Sequence, residues 1–192
     1  MKKNDGKYFY TAQLMNEALL SLLERKDIEF ITVTEITKKA GVNRSTFYLH
    51  YDNVYELLEE TIENLNKTFV SSFDNLTPAE ITSQGNAFLL TEEILKAYLN
   101  FCKEHKRLLK LVYQKPHLFK NDAAYRKMYT HVLYPAISQF VKQENQRVYM
   151  LEYFTQGVVG IIHKWIELDC VTEIYEIVEI IRSCVGYGYE NK

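Results

Sequence analysis

Glycine, proline and cysteine are all scarce in this chain, with 7, 3 and 3 residues respectively among 192. So few backbone breakers argue against long irregular stretches. The cysteines, Cys102, Cys170 and Cys184, are odd in number and contain no CxxC pair. That excludes a disulfide framework and a thiolate zinc site, and fits thiols kept reduced in a cytoplasm. His105, His117, His131 and His163 are scattered without a His-x3-His spacing, so no metal site is expected. The N-terminus runs Met1-Lys2-Lys3-Asn4-Asp5-Gly6 into Tyr8-Phe9-Tyr10 and lacks the apolar core of a signal peptide. No run approaches the roughly 18 apolar residues that span a bilayer. The longest apolar region, Val158–Ile162, is broken by Gly160 and followed by His163 and Lys164. The expectation is a cytoplasmic protein with no membrane contact. Also missing are a nucleophile–base set, a phosphate loop and metal-ligand spacing, so an enzyme is not expected, nor is a cofactor.

A strong charge is missing as well. The net charge is −2, and residues 1–75 carry 9 Lys+Arg against 12 Asp+Glu, a net −3. Between Ile36 and Tyr51, however, stand Lys38, Lys39 and Arg44 with no acid. Any grip on a polyanion must come from that local patch and from backbone amides.

What is present is apolar residue at three- to four-residue spacing, in a chain that is 47% hydrophobic. The spacing predicts an all-α protein with enough core for one domain or two. A first helix is expected from Thr11 to about Arg25, on Leu14, Ala18 and Leu22. Thr32-Val33-Thr34-Glu35 has the form of a capping box and opens a second helix to about Ala40. Gly41 follows, where a left-handed backbone suits glycine. Asn43 is a natural N-cap for a third helix, Arg44–His50. Asp52-Asn53, with Glu56, opens a fourth helix to about Phe73.

The segment 76–90, with Pro78 and Gly85, reads as a loop or short helix. Helical patterns return at Thr91–Glu104, Lys106–Gln114 and Asp122–Lys142, the last divided by Pro135. Two more follow at Arg147–Leu168 and Glu173–Gly186. The predicted organisation is an N-terminal domain at 1–52, a connecting helix at 53–75 and a larger C-terminal domain at 76–192.

Two short helices meeting at Gly41 form a helix-turn-helix. The apolar set Val33, Ile36, Ala40, Val42 and Phe47 would fix the angle between them, with Phe47 and Tyr51 packed inward. The second helix would then carry Arg44, Ser45, Thr46 and Tyr48 to a major groove, with His50 at its end. Arg44 suits a bidentate guanine contact. Thr32 and Thr34, at the start of the second helix, suit a phosphate.

The run Val33–Tyr51, with its Ala40-Gly41-Val42-Asn43 turn and Thr46-Phe47-Tyr48-Leu49-His50, resembles the signature of the tetracycline-repressor (TetR) family. The match is close over about 26 residues, and the patterns of the first and fourth helices extend it to about residue 70. The resemblance implies an all-helical homodimer. Its N-terminal three-helix domain would bind a double-stranded DNA operator through Thr34, Arg44, Ser45, Thr46, Tyr48 and His50. Its larger C-terminal helical domain would dimerise and bind a small-molecule effector of unknown identity. One position departs: where the family carries a phosphate-contacting Lys at the start of the fourth helix, this chain has Val54.

Thr91–Gln114 followed by Tyr153–Trp165 resembles the C-terminal domain of TetR-type regulators linked to dihydroxyacetone kinase genes. Phe154, Gly157, Gly160, Ile161, Ile162, Trp165 and Ile166 carry that resemblance.

In the C-terminal half, Gly157, Ile161, Trp165, Ile177 and Ile181 are expected to form a dimer face, two helices per subunit making a four-helix bundle. Phe101, Tyr113, Tyr129 and Phe154 are candidates for an apolar effector pocket. Cys102 and Cys184 are expected to be buried. The expected function is a ligand-responsive repressor on a palindromic operator. The alternative is a protein-binding co-regulator with weak or lost DNA affinity, motivated by Val54 and the acidic N-terminal segment.

Overall fold

Spacing of apolar residues dictates the architecture, and the described residues contain helices and no strand. The computed structural model describes residues 5–73, 91–115, 117 and 143–186, without the side chains of Asp5, Leu151, Phe154 and Val185. The helices are α1 (Asp5–Leu23), α2 (Val33–Ala40), α3 (Arg44–Tyr48), α4 (Val54–Ser71), α5 (Glu92–Glu104), α6 (Lys106–Gln114), α7 (Glu144–Glu167) and α8 (Ile174–Gly186). A 3-10 turn at Ile28–Phe30 joins α1 to α2. The chain divides into two compact units, Met1–Leu65 and Asn66–Lys192. The expectations for 76–90 and Asp122–Lys142 lie outside the described residues.

The first unit is built on α1 packed against α2, and α2 against α3. Met15, Leu19 and Leu23 of α1, Ile36 of α2, Phe47 of α3 and Leu57 of α4 are fully buried. Each such side chain contributes roughly 1.5–3 kcal/mol by leaving water. That decides the fate of α3. A helix of five residues has no stability of its own, and burial of Phe47 holds it. Asn16 of α1 and Thr61 of α4 are hydrogen-bonded to each other, and the Thr61 hydroxyl also donates to the Leu57 carbonyl at 2.7 Å.

Helix α1 begins six residues before the expected Thr11. Thr11 does not cap it: its hydroxyl donates to the Lys7 carbonyl at 2.8 Å, one turn back inside the helix. The extra turn was hidden because Phe9 and Tyr10 are exposed and carry no apolar stripe. Helix α3 ends at Tyr48 rather than His50. The Leu49 amide turns in to the Ser45 and Thr46 carbonyls, and those of His50 and Tyr51 to the Phe47 carbonyl.

In the second unit α5 and α7 both pack on α8, and α6 packs on α7. Leu95, Leu99, Cys102, Leu111, Ile162, Ile166, Val178 and Ile181 form its core. Phe69 joins it edge-on to Phe101 and Tyr98, at 5.1 and 5.6 Å. Thr91 caps α5 by accepting from the Ile94 amide at 3.3 Å.

Helix α7 stops without a glycine. Asp169 and Cys170 both take left-handed backbones, at φ 62° and 56°. Such residues cost on the order of 1–3 kcal/mol each. Neighbouring contacts offset the strain. The Cys170 amide donates to the Trp165 carbonyl at 2.9 Å, and the Trp165 indole donates to the Thr172 carbonyl at 2.9 Å. Lys110 and Lys106 of α6 pair with the Asp169 carboxylate at 2.8 and 3.5 Å. Cys102 and Cys170 are buried, but Cys184 is exposed, against expectation. It lies on the face of α8 that also exposes Ile180.

Candidate nucleic-acid interface

The reading head begins with a cap that the local sequence dictates. The Thr32 hydroxyl accepts from the Glu35 amide at 3.3 Å, and the Glu35 carboxylate accepts from the Thr32 amide at 3.0 Å. Lys26, from the turn after α1, reaches across to Glu35 at 2.6 Å and to the Phe30 carbonyl at 2.7 Å. Lys26 first, and then the Thr32 donors, hold Glu35 down from an ordinary 4.5 to about 2. Thr32 is therefore occupied by the cap, and the exposed Thr34 stands beside it on the outer face of α2.

Gly41 ends α2 at φ 67°, and its amide and that of Val42 both return to the Thr37 carbonyl. A Cβ at Gly41 would meet no atom within 4 Å, so the backbone angle alone demands glycine there. The turn delivers Asn43 in an extended conformation to the N-cap of α3. Its side chain makes no capping hydrogen bond, so it supplies the position without the expected contact.

Phe47 and Tyr51 point into the core, the former fully buried and the latter nearly so. Arg44, Ser45 and Tyr48 are exposed, and Thr46 and His50 are half-buried. Arg44 Nη2 lies 3.5 Å from the Tyr48 hydroxyl, one turn along the same face. Lys38 and Lys39, at the end of α2, are exposed too. The buried Tyr51 hydroxyl donates to Glu60 at 3.2 Å, and burial together with that carboxylate raises its pKa.

Helix α4 opens on a second cap. Asn53 Oδ1 accepts from the Tyr55 and Glu56 amides, and Glu56 accepts from the Asp52 amide at 2.6 Å. Val54 is buried, filling core where the family pattern has a lysine. Exposed Leu49 and Tyr55 flank the patch, and neither was expected from the sequence. Nor was Tyr8 of α1, whose ring stacks on that of His50 at 3.9 Å and 16°. Reading α1 from Thr11 left Tyr8 outside any helix, so nothing marked it.

The second unit distributes its candidates unevenly. Phe101 is buried and lines a groove of about 350 Å³ with Thr68, Ser71, Ser72, Asn100 and Glu104. Tyr113 is elsewhere, stacked on His163 at 4.2 Å, with burial pushing its hydroxyl up to about 12. Tyr129 and the side chain of Phe154 lie outside the described residues. Of the expected dimer face, Gly157 is exposed and Ile161 half-buried. Trp165, Ile177 and Ile181 are buried by the chain's own helices. They are core here because α7 and α8 pack on each other through them. The exposed side of α7 carries Tyr149, Tyr153 and Gly157. No metal-holding group of His, Cys, Asp and Glu occurs among the described residues. None of the described helices is long and apolar enough to cross a membrane.

Comparison with known proteins gives two family matches. Residues 17–61 match the tetR family of bacterial regulatory proteins, and residues 91–186 match a transcriptional regulator C-terminal region of TetR type. A Bacillus subtilis (strain 168) protein described as an uncharacterized HTH-type transcriptional regulator, YxbF, is 27% identical over 110 residues. The match covers 55% of this chain but only 27% of that relative's length. A TetR-like transcriptional regulator from Rhodococcus sp. RHA1 superposes with a TM-score of 0.68 at 17% identity, over 95% of this chain and 97% of its own. The fatty acid degradation regulator FadR from Bacillus halodurans gives 0.60 at 17% identity, over 100% of both chains. The dihydroxyacetone kinase operon activator DhaS gives 0.53 at 17% identity, over 92% of this chain and 97% of its own. At these identities the likeness is one of fold.

Proposed function

The chain belongs to the TetR family of bacterial transcriptional regulators, which are not enzymes, and from that premise we propose that it is a repressor. It binds a palindromic operator as a homodimer, through Thr34, Arg44, Ser45, Thr46, Tyr48 and His50. One observation carries this reading: α3 buries Phe47 completely while exposing Arg44, Ser45 and Tyr48 on the other side. A rigid anchor beneath and polar donors above are what a major-groove reader needs.

Dimerisation is proposed through the exposed side of α7, around Tyr149, Tyr153 and Gly157, with half-buried Ile161 at its margin. The buried Trp165, Ile177 and Ile181 support that face from behind. The effector is a small molecule held in the Asn66–Lys192 unit; of the expected lining, Phe101 borders the groove described above and Tyr113 stands apart from it. It acts by binding one spacing of the two reading heads better than the other, and shifts the equilibrium only by that difference.

Selection from a random duplex pool tests this reading. Retained sequences carrying two inverted half-sites are the expected result. Enrichment of no sequence at low salt would contradict it. That outcome would favour a second reading, a protein-binding co-regulator with weak DNA affinity. The buried Val54 and the net −3 of residues 1–75 favour that alternative.

A further inference from the structure

We propose that Tyr8 is a positioning residue of the DNA interface, its ring forming the platform that fixes the His50 imidazole beside the recognition helix. The proposal rests on the DNA-binding reading above and extends it to α1, which that reading leaves out.

The geometry is specific. The two rings lie 3.9 Å apart between centroids and 16° from parallel, which is face-to-face packing, and the Nδ1 edge of His50 is buried. Tyr8 sits in the first turn of α1 and His50 just past the end of α3, in the tightened turn whose amides converge on Phe47. Below this pair the chain is anchored by buried Ala12, Met15, Phe47 and Tyr51. The His50 backbone is therefore set by α3 and its ring plane by α1.

A half-buried imidazole at a helix end has two side-chain torsions to lose on meeting a ligand. A parallel aromatic face removes much of that freedom beforehand; with the Nδ1 edge buried, a ligand would be met from the other edge of the ring. Such pre-ordering is worth roughly 2- to 12-fold in affinity per side chain. The ring does this work, not the hydroxyl, so phenylalanine should serve in place of tyrosine.

The test uses fluorescence anisotropy on a duplex that the unaltered chain retains from a random pool. Tyr8→Phe should bind within about twofold of the unaltered chain, because the platform survives. Tyr8→Leu keeps an apolar side chain but loses the flat ring, and should bind about fivefold more weakly. Circular dichroism of Tyr8→Leu should match that of the unaltered chain, which separates lost pre-ordering from a lost fold. In a His50→Gln background, Tyr8→Leu should cost nothing more, since the two residues act through one ring. Unchanged binding by Tyr8→Leu, or a full loss that persists in the His50→Gln background, would overturn the role. Failure of the unaltered chain to retain any duplex would instead remove the DNA-binding reading itself.

Discussion

Lys26 and Glu35 meet at 2.6 Å across the turn that joins α1 to α2, and the same carboxylate closes the cap of α2 through Thr32. Three donors on one carboxylate favour its charged form and hold it at about 2. A depressed acid contributes stability that is complete above its unfolded pKa and lost as pH falls through its folded one. The contribution should thus be intact above the ordinary 4.5 and vanish toward pH 2. Urea melts of the chain and its Glu35→Gln variant should differ at pH 7 and converge between those values. A gap that stays constant down to pH 2 would remove the charge from the explanation.

The left-handed angle at Gly41 makes a second prediction. Space is open around it, so Gly41→Ala should cost only the backbone term, roughly 1–2 kcal/mol. Gly41→Asn should cost less, because asparagine tolerates this region. Denaturant titration reads both, and equal stability of all three chains would show that the turn can relax.

Phe47 and Leu49 are two residues apart with opposite fates, one fully buried and one largely exposed. Phe47→Ala should destabilise the first unit by roughly 3–5 kcal/mol, enough to threaten its folding. Leu49→Ser should change stability by less than about 0.5 kcal/mol. Thermal unfolding followed by circular dichroism separates the two.

At the end of α7, backbone strain and charge can be distinguished at Asp169. Its carboxylate is exposed and held below the usual range chiefly by the Lys110 hydrogen bond. Asp169→Asn keeps a residue type that tolerates positive φ and loses only the exposed pairing with Lys106 and Lys110, so it should cost little. Asp169→Val puts a β-branched residue at φ 62° and should cost roughly 1–3 kcal/mol. The order of the two denaturation midpoints is the readout.

Local chemistry was legible in the sequence. The Thr32–Glu35 capping box, the left-handed Gly41 and the inward Phe47 each depend on residues within one turn, and each is found as expected. The family resemblance was legible for the same reason, since its signature is one contiguous run. Features set by distant partners were not. The first turn of α1 exposes Phe9 and Tyr10, so it carries no periodic signal, and the stack of Tyr8 on His50 was invisible with it. Asn43 reaches the N-cap position without using its side chain, because the buried Phe47 and the Gly41 turn already fix α3. The sequence places Trp165, Ile177 and Ile181 on a subunit face, and within this chain they are buried. An apolar stripe does not say which partner covers it, and here α7 and α8 cover each other.

The central claim is that α3 reads DNA, and Arg44 tests it most directly. The measurement is an anisotropy titration at fixed salt, on a duplex retained by the unaltered chain, with sedimentation run in parallel. Arg44→Ala should lose about 1–3 kcal/mol of binding free energy while its oligomeric state stays unchanged. Tyr48→Phe, removing the hydroxyl 3.5 Å from that guanidinium, should lose less but in the same direction. Normal binding by Arg44→Ala would contradict the account, because it would leave α3 without the contact its exposed face was assigned.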